Sequence, residues 1–153
     1  MLCTTEEKIT MKDTKLHFDA AVVGLGKTGL SCVRYLLNKG LKIVVTDSRM
    51  NPPGLSTFKT ECTSVPIFLG KINAEILLSS DQVILSPGIS LHNEAVKQAI
   101  ANGIPVFGDI EIFCQQAKAP IIAVSGSNGK STVTTLVAEM TRRAGLNTCV
   151  GGN

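Results

Sequence analysis

The residues with the clearest chemistry lie in one short segment, which we call the lysine loop (residues 126–132). An apolar run at 120–124 predicts a buried strand before it, and Lys130 opens a predicted helix. A glycine turn leading into a helix directs several backbone N–H groups at one point, an arrangement typical of phosphate binding. Lys130 can reach the outer phosphates of a nucleotide, and the Ser131 hydroxyl can coordinate the Mg²⁺ that bridges them. The alternative is a tight turn whose glycines serve the backbone alone. The full loop reads Gly126-Ser127-Asn128-Gly129-Lys130-Ser131-Thr132.

This loop departs from the common phosphate-loop pattern in one position. That pattern places a glycine five residues before Gly129, where this sequence has Val124. The motif is therefore a shortened Gly-x-x-Gly-Lys-Ser, which narrows the families that fit.

A second glycine loop (residues 24–29), called the glycine loop below, follows an earlier apolar run. Its glycines, Gly24, Gly26 and Gly29, have the spacing of a dinucleotide-binding fingerprint, and Asp47 ends the next predicted strand. In the functional interpretation the loop N–H groups hold a diphosphate and Asp47 accepts hydrogen bonds from a neutral ligand group. In the structural alternative the glycines allow a close helix–strand crossing, and Asp47 caps a turn.

The elements around both loops predict an α/β fold. Alternating strands and helices of these lengths favour a parallel sheet with helices on both faces. The predicted strands are 18–23, 41–46, 65–69, 82–85 and 104–107, and the predicted helices are 30–37, 74–79 and 93–101.

A domain boundary is predicted at Gly108-Asp109. After it come a helix (110–117), the strand at 120–124, the helix of the lysine loop up to Gly145, and a strand at 148–150. We therefore expect a loose extension (1–16), a Rossmann-like domain (17–108) and the first, truncated part of a P-loop α/β domain (109–153).

Composition narrows the class of protein. The 153 residues are 44% apolar, which excludes a disordered chain, and the net charge of +3 fits anionic small molecules better than nucleic acid. The five cysteines form no C-x-x-C pair, so we expect reduced thiols in a cytoplasmic protein, with neither metal ligands nor disulfides. No apolar stretch approaches membrane-spanning length.

Taken in order, these motifs closely resemble the Mur ligases of peptidoglycan synthesis, from about Asp19 to the last residue. The Asp-Ser-Arg, Ser-Pro-Gly and Gly-Asp-Ile-Glu segments favour the D-glutamate-adding member over the L-alanine-adding one. The matching segments are Gly-Leu-Gly-Lys-Thr-Gly-Leu-Ser, Thr46-Asp47-Ser48-Arg49, Ser86-Pro87-Gly88-Ile89, Gly108-Asp109-Ile110-Glu111, the lysine loop, and Gly151-Gly152-Asn153.

The resemblance implies roles for individual residues. The lysine loop would bind the phosphates of ATP, with Ser131 on Mg²⁺ and Lys130 as the catalytic residue. The UDP-sugar would lie in the first domain, although Ser86-Pro87-Gly88 can equally be an ordinary turn. Its expected contacts are Lys27 and Thr28 at the diphosphate, Asp47, Ser48 and Arg49 around the uracil and ribose, Ser86 and Gly88 completing the pocket, and Asn153 from the second domain.

The resemblance also implies an activity for the complete enzyme. It would be an ATP-dependent ligase that joins D-glutamate to UDP-N-acetylmuramoyl-L-alanine through an acyl phosphate, as a cytoplasmic monomer without membrane or nucleic-acid partners. This chain alone would be inactive. The alternatives are an L-alanine-adding Mur ligase, a nicotinamide-binding oxidoreductase domain, which gives the lysine loop no role, and a non-catalytic nucleotide-sensing module.

Overall fold

The computed structural model describes residues 16–151. Asn153, and all but the last residue of the predicted loose extension, lie outside this range. Within this range the chain divides between Gln115 and Gln116 into two compact units. The strands are β1 (Ala20–Val23), β2 (Ile43–Asp47), β3 (Ile67–Leu69), β4 (Val83–Leu85) and β5 (Val106–Gly108); the helices are α1 (Lys27–Asn38), α2 (Leu55–Glu61), α3 (Ala74–Leu78), α4 (Glu94–Ala101), α5 (Asp109–Gln116) and α6 (Lys130–Arg143).

The first unit is built on a parallel sheet. Among the described residues, five strands pair in the order β3-β2-β1-β4-β5, and every neighbouring pair is parallel. The predicted α/β fold is therefore confirmed. Because β1 pairs with β2 on one side and with β4 on the other, the order reverses at β1, and in open α/β sheets the crevice at such a reversal binds ligands.

Alternate residues of the central strands supply a hydrophobic core on each face of the sheet. Val22 and Val45 pack with residues of α1 and with Phe58 of α2 on one face. Val23 and Val44 pack with residues of α3 and α4 on the other.

Burial raises the pKa of the Cys32 thiol, in α1, to about 11, and the negative charge of Asp109 adds to this shift. The Cys32 thiol therefore stays protonated at neutral pH.

Helix α2 is an element that the sequence analysis did not assign. It is short, and Phe58 is its only buried residue within the described chain. Long-range contacts hold it, because the Arg34 guanidinium of α1 binds both carboxylate oxygens of Glu61, at 2.7 and 2.8 Å. Gly54, its N-cap, also donates its N–H to the carbonyl of Leu25, at 3.0 Å. Contacts with partners 27 and more residues away leave no periodic signal within the segment itself.

The second unit corrects two strand predictions. Residues 120–124 and 148–150 form no strand, although helix α6 begins at Lys130 as predicted. A strand exists only when its N–H and C=O groups pair with a neighbour, and no described segment pairs with 120–124. Both strand predictions are therefore wrong for the described chain: the apolar pattern is present, but no described segment pairs with it.

Two glycines of the glycine loop are required by its shape. Gly24 has φ +95°, a conformation that side chains rarely adopt. At Gly29 an added Cβ would lie 1.8 Å from the carbonyl oxygen of Gly24. Gly26 differs from both, because an added Cβ would meet nothing within 4 Å and its φ of −93° is ordinary. The first turn of α1 is therefore pressed against the end of β1, while Gly26 faces open space.

We predict that Gly29→Ala lowers the free energy of unfolding by about 3 kcal/mol, the upper end of the usual cost of overpacking, because backbone must move to admit the methyl group. Gly26→Ala is the matched control and should change it by less than about 1 kcal/mol. Urea unfolding of both variants checks this. Equal stability of the two would contradict the close crossing of α1 and β1.

Candidate functional site

The carboxyl ends of β1, β2 and β4 meet at one edge of the sheet. Because these strands are adjacent and parallel, this edge brings together most of the residues predicted to bind the UDP-sugar. Lys27, Ser48, Arg49 and Gly88 are exposed there, Thr28 and Ser86 are half-buried, and Asp47 is buried; Asn153 lies outside the described residues.

The Asp47 carboxylate is the centre of this edge. Its Oδ2 accepts hydrogen bonds from the backbone N–H of Leu25 and from Nη2 of Arg49, both at 2.7 Å. Its Oδ1 accepts from the backbone N–H and the Nε of Arg49, both at 2.9 Å. Asp47 therefore ties the glycine loop to the turn after β2, and it fixes the plane of the Arg49 guanidinium.

The same contacts determine the charge of Asp47. Burial alone would raise its pKa, since the side chain is 0% exposed, but the hydrogen bonds from Arg49 and Leu25 and the Arg49 charge together lower it. Asp47 is thus an anion at neutral pH, and Arg49 neutralises it locally. Half of the Arg49 side chain remains exposed at the same edge.

Two further contacts brace the glycine loop. The Ser86 hydroxyl, directly after β4, donates to the carbonyl of Gly24 at 3.0 Å. The Gly54 N–H binds the carbonyl of Leu25 from the opposite flank. The roles of Leu25 and Gly54 were not predicted, because both residues act through backbone atoms. The signal that could have suggested Gly54 is the Pro-Pro-Gly sequence before α2, since a glycine at a helix start often marks a close backbone approach.

The start of α1 is the part of this edge left open. The first N–H groups of any α-helix lack partners within the helix, and the N-cap, Gly26, provides no side chain to satisfy them. No acidic residue lies in the first turn of α1, and Lys27 is exposed there. Unpaired N–H groups, the helix dipole and a lysine together make a favourable site for an anionic group.

The second unit forms its own helix start at the lysine loop. Gly129, the N-cap of α6, has φ +73°, a left-handed conformation suited to glycine. The Lys130 ammonium binds the carbonyl of Gly126 at 2.5 Å and that of Ser127 at 3.3 Å. Ser131 and Thr132 occupy the first turn of α6. The predicted strand–loop–helix context thus holds for its loop and helix, whereas the strand is not formed.

Between residues 16 and 151, no three His, Cys, Asp or Glu side chains cluster closely enough to hold a metal ion. Over the same range, no helix combines the length and apolar character needed to cross a membrane.

Comparison with protein families agrees with this geometry. The family model described as "Mur ligase MurD-like, N-terminal domain" matches residues 18–108, which is more than half of the chain. The chain belongs to the MurD-like Mur ligase family. The matched range contains the whole sheet and the glycine loop.

Curated relatives of this MurD-like chain carry the name UDP-N-acetylmuramoylalanine–D-glutamate ligase. The chain is 52% identical to the one from Marinobacter nauticus over 132 residues, 86% of this chain and 30% of the relative. It is 50% identical to the one from Pseudomonas aeruginosa over 137 residues, 90% of this chain and 30% of the relative. The chain therefore spans about 30% of the length of these relatives.

Solved structures support the fold of the MurD-like chain. UDP-N-acetylmuramate-alanine ligase from Thermotoga maritima aligns with a TM-score of 0.53 and 22% identity, covering 84% of this chain and 30% of that one. A pseudomurein peptide ligase from Methanothermus fervidus gives the same TM-score and identity, covering 83% and 26%.

The lowered pKa of Asp47 predicts how stability depends on pH. The folded pKa lies below the unfolded value of about 3.9, so the stabilisation is complete above about pH 5 and is lost as the pH falls through the unfolded and then the folded pKa. Asp47→Asn should therefore be less stable than the wild type at pH 7, with a difference that shrinks below pH 4.

Urea unfolding at pH 7 and in steps below pH 4 measures this difference. Glu61→Gln is the control, because its ion pair with Arg34 is exposed and should matter less. A gap between wild type and Asp47→Asn that stays constant with pH would show that Asp47 is not the anion described.

Proposed function

We propose that this chain is the substrate- and phosphate-binding portion of a UDP-N-acetylmuramoylalanine–D-glutamate ligase. The support is the family membership and the identity of about 50% to relatives with that name. Because the chain spans about 30% of those relatives, the activity of the whole protein, its substrates and its cytoplasmic location are part of the proposal.

The observation that carries the proposal is the open start of α1 beside Gly26. A phosphate can approach the backbone closely only where no side chain stands in the way, and nothing lies within 4 Å of the Cβ position at Gly26. Residues 17–108 would therefore bind the diphosphate of the UDP-sugar at the amides of residues 26–29, with Lys27 and Thr28 beside it. Ser48, Arg49 and Gly88, exposed at the same edge, would surround the uridine, and Asn153 is proposed as a further contact.

Residues 109–153 would begin the ATP-binding domain. In phosphoryl transfer the protein contributes positioning and charge neutralisation rather than covalent chemistry. The Lys130 ammonium already lies over its own loop, bound to carbonyls, and a bound phosphate would offer it a stronger, anionic partner. We propose Lys130 as the catalytic residue that meets charge developing on the transferred phosphoryl group.

At the lysine loop, one protein group, the Ser131 hydroxyl, is proposed as a ligand of Mg²⁺. The Ser131 hydroxyl lies in the first turn of α6, and Mg²⁺ in such sites is held by few protein groups together with the nucleotide phosphates. When bound, Mg²⁺ would neutralise phosphate charge.

The proposed reaction has two steps. An oxygen of the L-alanyl carboxylate attacks the γ-phosphorus of ATP, and ADP leaves, which produces an acyl phosphate. The D-glutamate amine then attacks the acyl carbon, inorganic phosphate leaves, the amine gives up a proton, and an amide results. The lysine loop serves the first step, and the glycine loop holds the substrate for both.

The alternatives have weaker support. A nicotinamide-binding oxidoreductase or a nucleotide-sensing module would use the open start of α1 but has no role for the lysine loop. An L-alanine-adding ligase shares the fold, but the likeness to the Thermotoga maritima structure is 22% and concerns the fold alone.

We predict that UDP and UDP-N-acetylmuramoyl-L-alanine stabilise this chain against heating and that NADH does not. A ligand at about 100 times its Kd adds about 2.7 kcal/mol when it binds only the folded state. Thermal unfolding with each ligand is the measurement.

In Gly26→Ala, a methyl group would stand where the diphosphate approaches the backbone. The rise in melting temperature caused by UDP or UDP-N-acetylmuramoyl-L-alanine should therefore be smaller than in wild type, while the melting temperature without ligand stays close to that of wild type.

Stabilisation by NADH without stabilisation by either uridine ligand would overturn the ligase proposal in favour of an oxidoreductase domain. An unchanged shift in Gly26→Ala would place the diphosphate away from the start of α1.

A further inference from the structure

Resting on the proposed function, we propose that Gly54, the N-cap of α2, is a positioning residue for the diphosphate. It acts through the peptide group that joins Leu25 to Gly26, because the N–H of Gly54 binds the carbonyl oxygen of that group. The N–H of the same peptide group is one of the amides proposed above to bind the diphosphate. Helix α2 would thus determine the direction of a donor in the glycine loop.

The peptide group between Leu25 and Gly26 has one end bound and the other end open. Its carbonyl oxygen accepts the Gly54 N–H at 3.0 Å. Because a trans peptide is planar and its C=O and N–H point in opposite directions, this hydrogen bond turns the Gly26 N–H away from α2. Among residues 16–151 the Gly26 N–H has no acceptor, and the Cβ position at Gly26 has no neighbour within 4 Å. Gly54 therefore directs an unpaired donor toward the open start of α1.

The space around Gly54 explains why a glycine occupies this position. Its φ of −85° and ψ of −2° are values that alanine adopts without strain. An added Cβ would lie 3.0 Å from the carbonyl oxygen of Leu25 and 3.3 Å from the Cγ of the same residue. The glycine is therefore required by the close approach of α2 to the Leu25–Gly26 peptide, and its own backbone conformation does not require it.

Helix α2 is anchored in the position from which it makes this contact. Phe58, one turn after Gly54, is buried in the same hydrophobic core as Leu25. The Glu61 carboxylate, at the end of the helix, binds the Arg34 guanidinium of α1. A methyl group at residue 54 would therefore press on the peptide between Leu25 and Gly26, lengthen its hydrogen bond and tilt the Gly26 N–H away from its present direction.

We predict that Gly54→Ala weakens the binding of the diphosphate more than the binding of the nucleoside. The gain from the diphosphate is the ratio of the Kd for uridine to the Kd for UDP, both measured by calorimetric titration of this chain. The ratio should fall about fivefold in Gly54→Ala, the size expected when one hydrogen bond to the ligand is weakened. The Kd for uridine should stay close to that of wild type.

Two variants serve as controls. Gly108→Ala is the same substitution at the end of β5, where the added Cβ would meet only the flexible end of Glu111, at 3.5 Å. Glu61→Gln removes the ion pair between α2 and α1 but leaves the contact of Gly54 with Leu25 in place. Neither variant should change the ratio. A fall in Glu61→Gln as large as that in Gly54→Ala would overturn the inference, since the effect would then come from loosening of α2 as a whole.

A measurement on wild type keeps the inference testable if circular dichroism shows that Gly54→Ala does not fold. In NMR spectra of the ¹⁵N-labelled chain, UDP should move the Gly26 amide proton downfield and slow its hydrogen exchange, whereas uridine should do neither. The Gly54 amide should be protected from exchange with and without ligand. Equal responses of the Gly26 amide to uridine and UDP, or rapid exchange of the Gly54 amide, would contradict the inference.

The outcomes separate this inference from the proposed function. If wild type binds UDP and the ratio is unchanged in folded Gly54→Ala, Gly54 serves only the packing of α2 and the inference is wrong. If wild type fails to bind UDP at all, the proposed function itself is wrong.

Discussion

The hydrogen bond from the backbone N–H of Leu25 to the Asp47 carboxylate is the contact on which the candidate site depends. It joins the loop after β1 to the end of β2, and it is charge-assisted and buried, so few competing arrangements of this loop are available. With Leu25 turned inward, Gly24 must take a positive φ and the first turn of α1 must approach the loop at Gly29. The open amides at the start of α1 follow from that geometry.

The ion pair between Arg49 and the buried Asp47 carboxylate also sets the charge at this edge of the sheet. A buried anion close to the proposed diphosphate site would repel the ligand, and burial of Asp47 without partners would be costly. Arg49 removes both difficulties, because it neutralises Asp47 through two side-chain contacts while half of its own side chain stays exposed at the edge. The positive end of α1 and Lys27 then dominate the local field. A carboxylate can therefore shape an anion site without opposing it.

Much of this could be predicted from sequence because the signals are local. The spacing of Gly24, Gly26 and Gly29, with Asp47 at the end of β2, predicted the loop, and the alternation of strands and helices predicted the parallel sheet. Helix α2 was not predicted, since its ion pair to Arg34 and the contact of Gly54 with Leu25 join distant segments. The strand expected at 120–124 was wrong for a related reason: apolar pattern is a property of the segment, whereas a strand requires a paired neighbour. The part played by Ser86 depends on β4 lying beside β1, which only the sheet order reveals.

The most direct test of this account is an NMR titration of the ¹⁵N-labelled chain with UDP, read at the backbone amides. We predict chemical-shift changes centred on Gly26, Lys27, Thr28 and Gly29, while the Leu25 amide remains protected from hydrogen exchange by Asp47, with and without ligand. Shifts centred on Asp19 and Lys42 at the opposite edge, or rapid exchange of the Leu25 amide in the folded chain, would contradict it.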